Sequence, residues 1–325
     1  MLVRELQDGC EVDRVLLVRE VERRQRRDGG EYLRVVLGDH TGSLPAMLWD
    51  GIAEILRVVR VGYPVRVVGR CGEHPRYGRQ LTVRSLHPPA PGTWSDDELH
   101  DGPPREVDHM EADLRALVAT VRHPHLRALL ERFFGEGSEY WRRYRLAPAA
   151  KHYHQAYRHG LLEHCLTVAQ AVSAVSAIFP GLDRDVAVTG ALLHDIGKLE
   201  AYCASGGAID MTDAGRLQGE IPLGYYTVRR AIEELGSFPP ACSEAVLHII
   251  LAHHGALEHG SPVVPCTREA TLVHMMDNLG GRLGSFDRLE KALPDGAAWS
   301  TFDRAIGGSA YFAPVESSEA REQAA

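Results

Sequence analysis

A chain of 325 residues exceeds the size at which one hydrophobic core usually keeps growing, so two domains of unequal size are expected. With 44% hydrophobic and 25% charged residues it is neither disordered nor fibrous, and it has no run of eighteen apolar residues and no apolar leader after MLVRELQDGC; the membrane-spanning and secreted classes drop out, and a soluble, cytoplasmic protein is expected. The net charge of −8 is uneven: residues 1–90 hold 15 arginines against 12 acids and the remainder 21 basic against 32 acidic residues, so a cationic front suited to a polyanion precedes an acidic, histidine-rich body suited to divalent cations.

In chain order, residues 12–23 (VDRVLLVREVER), 31–38, 43–49, 64–71 and 80–86 are short, rich in β-branched side chains and roughly alternating, which predicts five strands. Asp28-Gly29-Gly30 and His40-Thr41-Gly42 supply turns, and GIAEILRVV from Gly51 predicts a helix between strands three and four. That element order is the one found in OB-folds. A Pro-, Gly- and acid-rich stretch, HPPAPGTWSDDELHDGPPREVD, then reads as a linker without helix or strand. The boundaries expected are an OB-like domain over 1–88, a linker over 89–108, an all-α domain over 109–290, and a frayed tail over 291–325.

Helical spacing dominates from Met110, as in EADLRALVATV, HLRALLERFF, LLEHCLTVAQAVSAVSAIF, DVAVTGALLHDIG, SEAVLHIILAHHG and REATLVHMMDNLGGRL. The six cysteines are scattered, without a C-x-x-C pair, so neither a disulfide framework nor a zinc ribbon is expected. Histidines beside carboxylates recur on separate segments: His164, His194-Asp195, Glu220, His253-His254 and Asp277. An adjacent His-Asp pair lies about 100° apart on a helix, so near a helix end both side chains can face one cleft. Mixed imidazole and carboxylate donors suit Mn, Fe, Co, Ni or Zn, and the lack of thiolates points to an open, water-holding site. His109, His123, His125 and His248 lack converging partners and read as packed or surface histidines. Tyr32, Arg34, Trp49, Arg66 and Arg70 on the strands are candidates for stacking on bases and contacting phosphates, and the run Arg23-Arg24-Gln25-Arg26-Arg27 reads as a solvated hairpin arm or a backbone-binding cluster.

The order His164, His194-Asp195, Asp277 resembles the signature of HD phosphohydrolases. The surrounding text, HxxYxHGLLEHC from His154, GALLHDIGK from Gly190, MTDAGRLQG from Met211 and ILAHHGALEHGSPVVPCTREATLVHMMDNL from Ile250, together with the preceding OB-like stretch, resembles the YhaM family of bacterial 3′-to-5′ exoribonucleases over nearly the whole chain. The resemblance implies two divalent ions, with Mn foremost and Fe, Co, Ni, Zn or Mg also compatible. It places His164, His194, Asp195 and Asp277 at the first ion, with Asp195 bridging, and His253, His254 and Glu220 at the second. Glu220 is a departure, because proteins of this kind usually carry His there; a carboxylate alters the metal preference of the second position. Hydrolysis of a phosphodiester would use Asp195 with the ions and Lys198 as an electrostatic stabiliser, with Glu163 and His159 orienting ligands or binding the substrate end. The implied substrate is single-stranded RNA, with single-stranded DNA as a variant. Two rivals stay open, a hydrolase of small nucleotides or cyclic dinucleotides and a non-catalytic RNA-binding protein with a vestigial site, and self-association through exposed helical faces stays open too.

Overall fold

The computed structural model describes residues 2–25, 29–74, 78–100, 102–151, 155–205, 208–291, 293 and 296–313. The alternating segments form β1 (Glu11–Gln25), β2 (Glu31–Asp39), β3 (Gly42–Leu48), β4 (Pro64–His74) and β5 (Gly78–His87), with α1 (Ile52–Val58) between β3 and β4. The strands close into a barrel in the order β1-β2-β3-β5-β4, in which β3 and β5 pair in parallel at Ala46 and Leu81 and the other neighbours are antiparallel. This is the OB-fold, and its inward residues, among them Leu16, Leu33, Val35, Leu37, Val65 and Val67, make one core. Asp39 is a fully buried acid that accepts the N–H groups of Val3 and Thr41, each at 2.8 Å, and the Thr41 hydroxyl, so its burial is compensated.

β1 departs from simple alternation, because Val15, Leu16, Leu17 and Val18 are all buried. The cause is the stretch read as an unstructured linker. It forms α2 (Asp96–Leu99), whose Leu99 packs with Trp94 onto the outward-facing Val15 and Leu17. The His40 N–H donates to the Glu98 carbonyl at 3.1 Å and His40 Nδ1 lies 2.9 Å from the same oxygen, which pins this segment to the β2–β3 turn.

The second core belongs to α3 (Val107–Ala119), α4 (Pro124–Phe134), α5 (Glu139–Tyr144), α6 (Gly160–Ser176), α7 (Arg184–Leu193), α8 (Lys198–Ala201), α9 (Asp213–Gln218), α10 (Glu220–Glu234), α11 (Pro240–Ala252) and α12 (Arg268–Lys291). Their starts are capped where the sequence supplies an acceptor: Ser138, Asp183 and Thr212 take the free N–H groups of α5, α7 and α9. α7 is the central helix, buried from Val186 to Leu193 and packed against α6, α11 and α12. At Gly190 a Cβ would stand 2.4 Å from Ile249 Cδ1, so glycine lets α7 and α11 approach closely.

Three features differ from the expectations. A two-stranded hairpin, β6 (Tyr202–Ser205) and β7 (Ala208–Met211), interrupts the all-α domain, because the run between α8 and α9 pairs with itself from Tyr202↔Met211 to Ser205↔Ala208. α10 has no counterpart among the helices read from the sequence, although Ile221, Gly224, Val228, Ala231 and Ile232 bury one face at helical spacing. α12 continues past Gly284 to Lys291, and residues 296–313 fold back through bridges between Trp299 and Tyr311 and between Asp303 and Gly308, held by Arg288 donating to Asp303 at 2.7 Å. Arg26, Arg27 and Asp28 of the hairpin arm, His154, and residues 314–325 of the expected tail lie outside the described residues.

Candidate metal centre

His194 occupies the C-cap of α7, Asp195 follows it, and His253 occupies the C-cap of α11. The two capping histidines use the same device: Nδ1–H donates to the carbonyl three residues back, Ala191 at 2.7 Å and Ile250 at 2.8 Å, which turns each Nε2 inward. His164, in the second turn of α6, sets Nδ1 3.1 Å from the Gln155 side-chain oxygen, and His254 sets Nδ1 2.9 Å from the His259 carbonyl. All four Nδ1 atoms therefore face oxygen acceptors, so each Nδ1 carries a proton, and it is the neutral form of each ring that presents an Nε2 lone pair to the centre.

His164 Nε2 lies 3.0 Å from Asp277 Oδ1, 3.3 Å from Asp195 Oδ2 and 3.2 Å from His194 Nε2. His194 Nε2 is 3.3 Å from Asp195 Oδ2 and 3.8 Å from Asp277 Oδ1. Two compact donor sets result, His164 with His194 and Asp195, and His194 with His253 and Asp277. Inside the cluster, Asp195 Oδ1 and His253 Nε2 are buried and 3.6 Å apart, and neither has a hydrogen-bond partner. Two buried acceptors left facing each other are costly unless a cation joins them, so this donor set fits a divalent metal ion.

The electrostatics agree. Burial alone would raise the Asp195 carboxyl, but the Lys198 ammonium and the His194 and His253 imidazoles override it and hold Asp195 well below the usual carboxylate range. Asp277 is lowered in the same way, its burial outweighed by the hydrogen bond with His164 and the charge of His194. Burial opposes protonation of His194, yet Asp195 wins and raises it; burial, followed by the neighbouring His253, lowers His254. The centre thus keeps its acids ionised and favours positive charge.

The other expected residues fall into distinct places. Glu220 is the first residue of α10, with Oε1 3.7 Å from His254 Nε2; the pair stands beside the cluster and belongs to neither compact set. Lys198 opens α8 and donates to Asp195 Oδ2 at 2.7 Å, so its ammonium serves that carboxylate. Glu163 is buried and accepts the Tyr157 hydroxyl, while His159, in the left-handed region at φ 68°, is hydrogen-bonded through Nδ1 to the Arg145 carbonyl. Both side chains, read as orienting ligands or binding the substrate end, are engaged with Tyr157 and Arg145 around the start of α6. Sequence reasoning missed Gln155, which orients His164, and His274, whose Nδ1 lies 2.7 Å from the His253 carbonyl; neither contact leaves a periodicity or spacing to read.

The barrel candidates take no part in the His/Asp donor sets. Tyr32 on β2 and Trp49, the residue after β3, stack with ring centroids 4.6 Å apart beside the β2–β3 pair, whose face in OB-folds commonly holds nucleic acid. Arg34 lies on the same face but is paired with Glu20 at 2.9 Å and Glu22 at 3.6 Å. Arg66 makes two bonds to Asp13, at 2.8 and 2.9 Å, and Arg70 Nε donates to the Gly9 carbonyl at 3.0 Å.

An OB barrel joined to a helical domain with this His/Asp centre defines a two-domain HD protein, and the family models agree: residues 161–281 match the HD domain and residues 15–89 the OB-fold nucleic acid binding domain. Among curated proteins, the chain is 30% identical over 296 residues to the 3′-5′ exoribonuclease YhaM of Bacillus pumilus, covering 88% of this chain and 90% of that one. It is 31% identical over 295 residues to the YhaM of a Geobacillus species, covering 88% and 87%, and 30% identical over 296 residues to that of Bacillus subtilis, covering 88% and 90%. The chain belongs to the YhaM family. Among the described residues no helix is long and apolar enough to cross a membrane.

Proposed function

We propose that the chain is a metal-dependent 3′-to-5′ exoribonuclease, in which residues 1–88 hold single-stranded RNA, residues 89–108 connect, and residues 109–290 cut. The observation that carries the reading is the buried, unpartnered pair Asp195 Oδ1 and His253 Nε2 at the meeting point of α7 and α11, in a chain similar over both domains to proteins named as 3′-5′ exoribonucleases. His164, His194, Asp195 and Asp277 would hold the first ion, with His253 beside them, and His254 with Glu220 would hold a second. Divalent ions in such a site supply an activated water and neutralise charge on the scissile phosphate. The oxygen donors favour Mn, and Glu220 in place of an imidazole hardens the second position further. Lys198 keeps Asp195 ionised for that task, and Gln155 keeps His164 in the tautomer that can ligate. On the barrel, the Tyr32–Trp49 stack offers a platform for bases, with Arg34, Arg66 and Arg70 able to exchange their present partners for phosphates. The six free cysteines suit the reducing cytoplasm.

The test uses RNA labelled at its 5′ end, purified protein and Mn. A ladder of shortening products that keep the label is expected, and Asp195→Asn should abolish it. Intact RNA, from protein that also binds no Mn in an equilibrium titration, rejects the proposal.

A further inference from the structure

The folded-back linker creates a groove whose lining includes neither Tyr32 nor Trp49. It has a volume of about 580 Å³ and is lined by Asp13, Arg14, Arg66, His87, Trp94 and Glu98 among others, which puts it within the range of clefts that take small ligands. One side is β1 and β4; the other is the segment that carries Trp94 and α2. The Trp94 indole packs with Leu99 against Val15 and Leu17, so it is a braced aromatic wall.

The charges in the groove are unequally spent. Arg66 and Asp13 satisfy each other, and the Glu98 carboxylate accepts from the Ser95 N–H at 3.4 Å. Arg14 is different. Its Nη2 makes a long ion pair with the buried Asp39, at 3.9 Å, while the oxygens of Asp39 take their hydrogen bonds from Val3 and Thr41. Its Nε is buried without an acceptor. An arginine with an unsatisfied donor, an imidazole and a braced indole in one cleft, with donors and acceptors between them, match the phosphate, ribose and base of a nucleotide better than they match a simple anion or an apolar group.

We propose that this groove is a second seat for single-stranded RNA, taking one nucleotide with its base on the Trp94 indole and its phosphate on Arg14 and His87. The inference rests on the exoribonuclease reading. The two seats lie toward opposite ends of β1, Asp13 and Val15 at one and Arg24, which pairs with Tyr32, at the other; about 30 Å of strand contour separates them, so RNA of several nucleotides is needed to use both.

The test is fluorescence anisotropy of a labelled single-stranded RNA of about a dozen nucleotides, titrated with the full-length protein in a chelator so that the probe stays intact. Trp94→Ala should weaken binding about tenfold, the size of one lost stacking contact, while Trp94→Phe stays near wild type. Arg14→Met should weaken binding and flatten its salt dependence by about one unit of slope. Wild-type affinity in both Trp94→Ala and Arg14→Met overturns the proposal, and so does a Phe variant as weak as the Ala variant, because that pattern marks packing alone. If Trp94→Ala does not fold, Arg14→Met and Trp94→Phe still decide. Wild-type protein that binds no RNA defeats the exoribonuclease reading itself, whereas RNA binding lost in Trp49→Ala and kept in the groove variants defeats only the second seat.

Discussion

At the scale of single residues, the centre depends on which ring nitrogen carries the proton. Gln155 does for His164 what backbone carbonyls do for His194, His253 and His254, and it is the only one of these acceptors that a substitution can remove. Gln155→Ala should therefore lower Mn affinity by roughly 10–100-fold, measured by calorimetric titration, with little change in the unfolding temperature of the metal-free protein. A pH dependence follows from His194. Its raised folded-state pKa means that its protonation stabilises the metal-free fold below the ordinary value of 6.5, and that this contribution is lost as pH rises through the folded value. Metal must displace that proton, so the increase in unfolding temperature on adding Mn should be larger at pH 8 than at pH 6. An increase independent of pH would contradict the assignment of His194 as a ligand. These residues also mark how far the sequence could be read. The convergence of His164, His194-Asp195 and Asp277 was legible from histidines recurring beside carboxylates and from the resemblance of their order to the HD signature. The engagement of Glu163 with Tyr157 and of His159 with Arg145 was not, since both are contacts between irregular backbone and the start of α6.

At the scale of elements, α7 and α11 bring His194 and His253 together because Gly190 leaves room for Ile249. Gly190→Ala should destabilise the fold by about 1–3 kcal/mol through overpacking, and adding Ile249→Val should recover part of that loss in thermal unfolding; additive effects would show that the contact is not the cause. On the barrel, Leu99 is the anchor of α2. Leu99→Ala, at a site only 2% exposed, should cost about 2 kcal/mol or more, and limited proteolysis should then cleave faster within residues 88–106. The strands were legible from alternation, except that β1 carries apolar residues on both faces, a pattern that makes sense only once α2 covers it. α10 was overlooked for a different reason: Pro222, Gly224 and two tyrosines break up its composition, while its buried stripe is intact.

For the whole molecule, the two cores share no residue, one spanning Val3 to Leu86 and the other Val107 to Met276, which supports separate roles for capture and cleavage. Removing residues 1–88 should slow degradation of long RNA far more than that of RNA a few nucleotides long, measured as kcat/KM on each; equal losses would mean that the barrel supports the fold of the other domain.

Because α2 is fastened to β1, the tether between barrel and catalytic body is shorter than the sequence suggests. Only residues 100–106 lie between Leu99 and the start of α3 at Val107, a leash of at most about 25 Å. With so little slack, the barrel stays within that reach of the start of α3. A shrinking RNA should slip out of joint grip at a definite length, leaving end fragments of characteristic size.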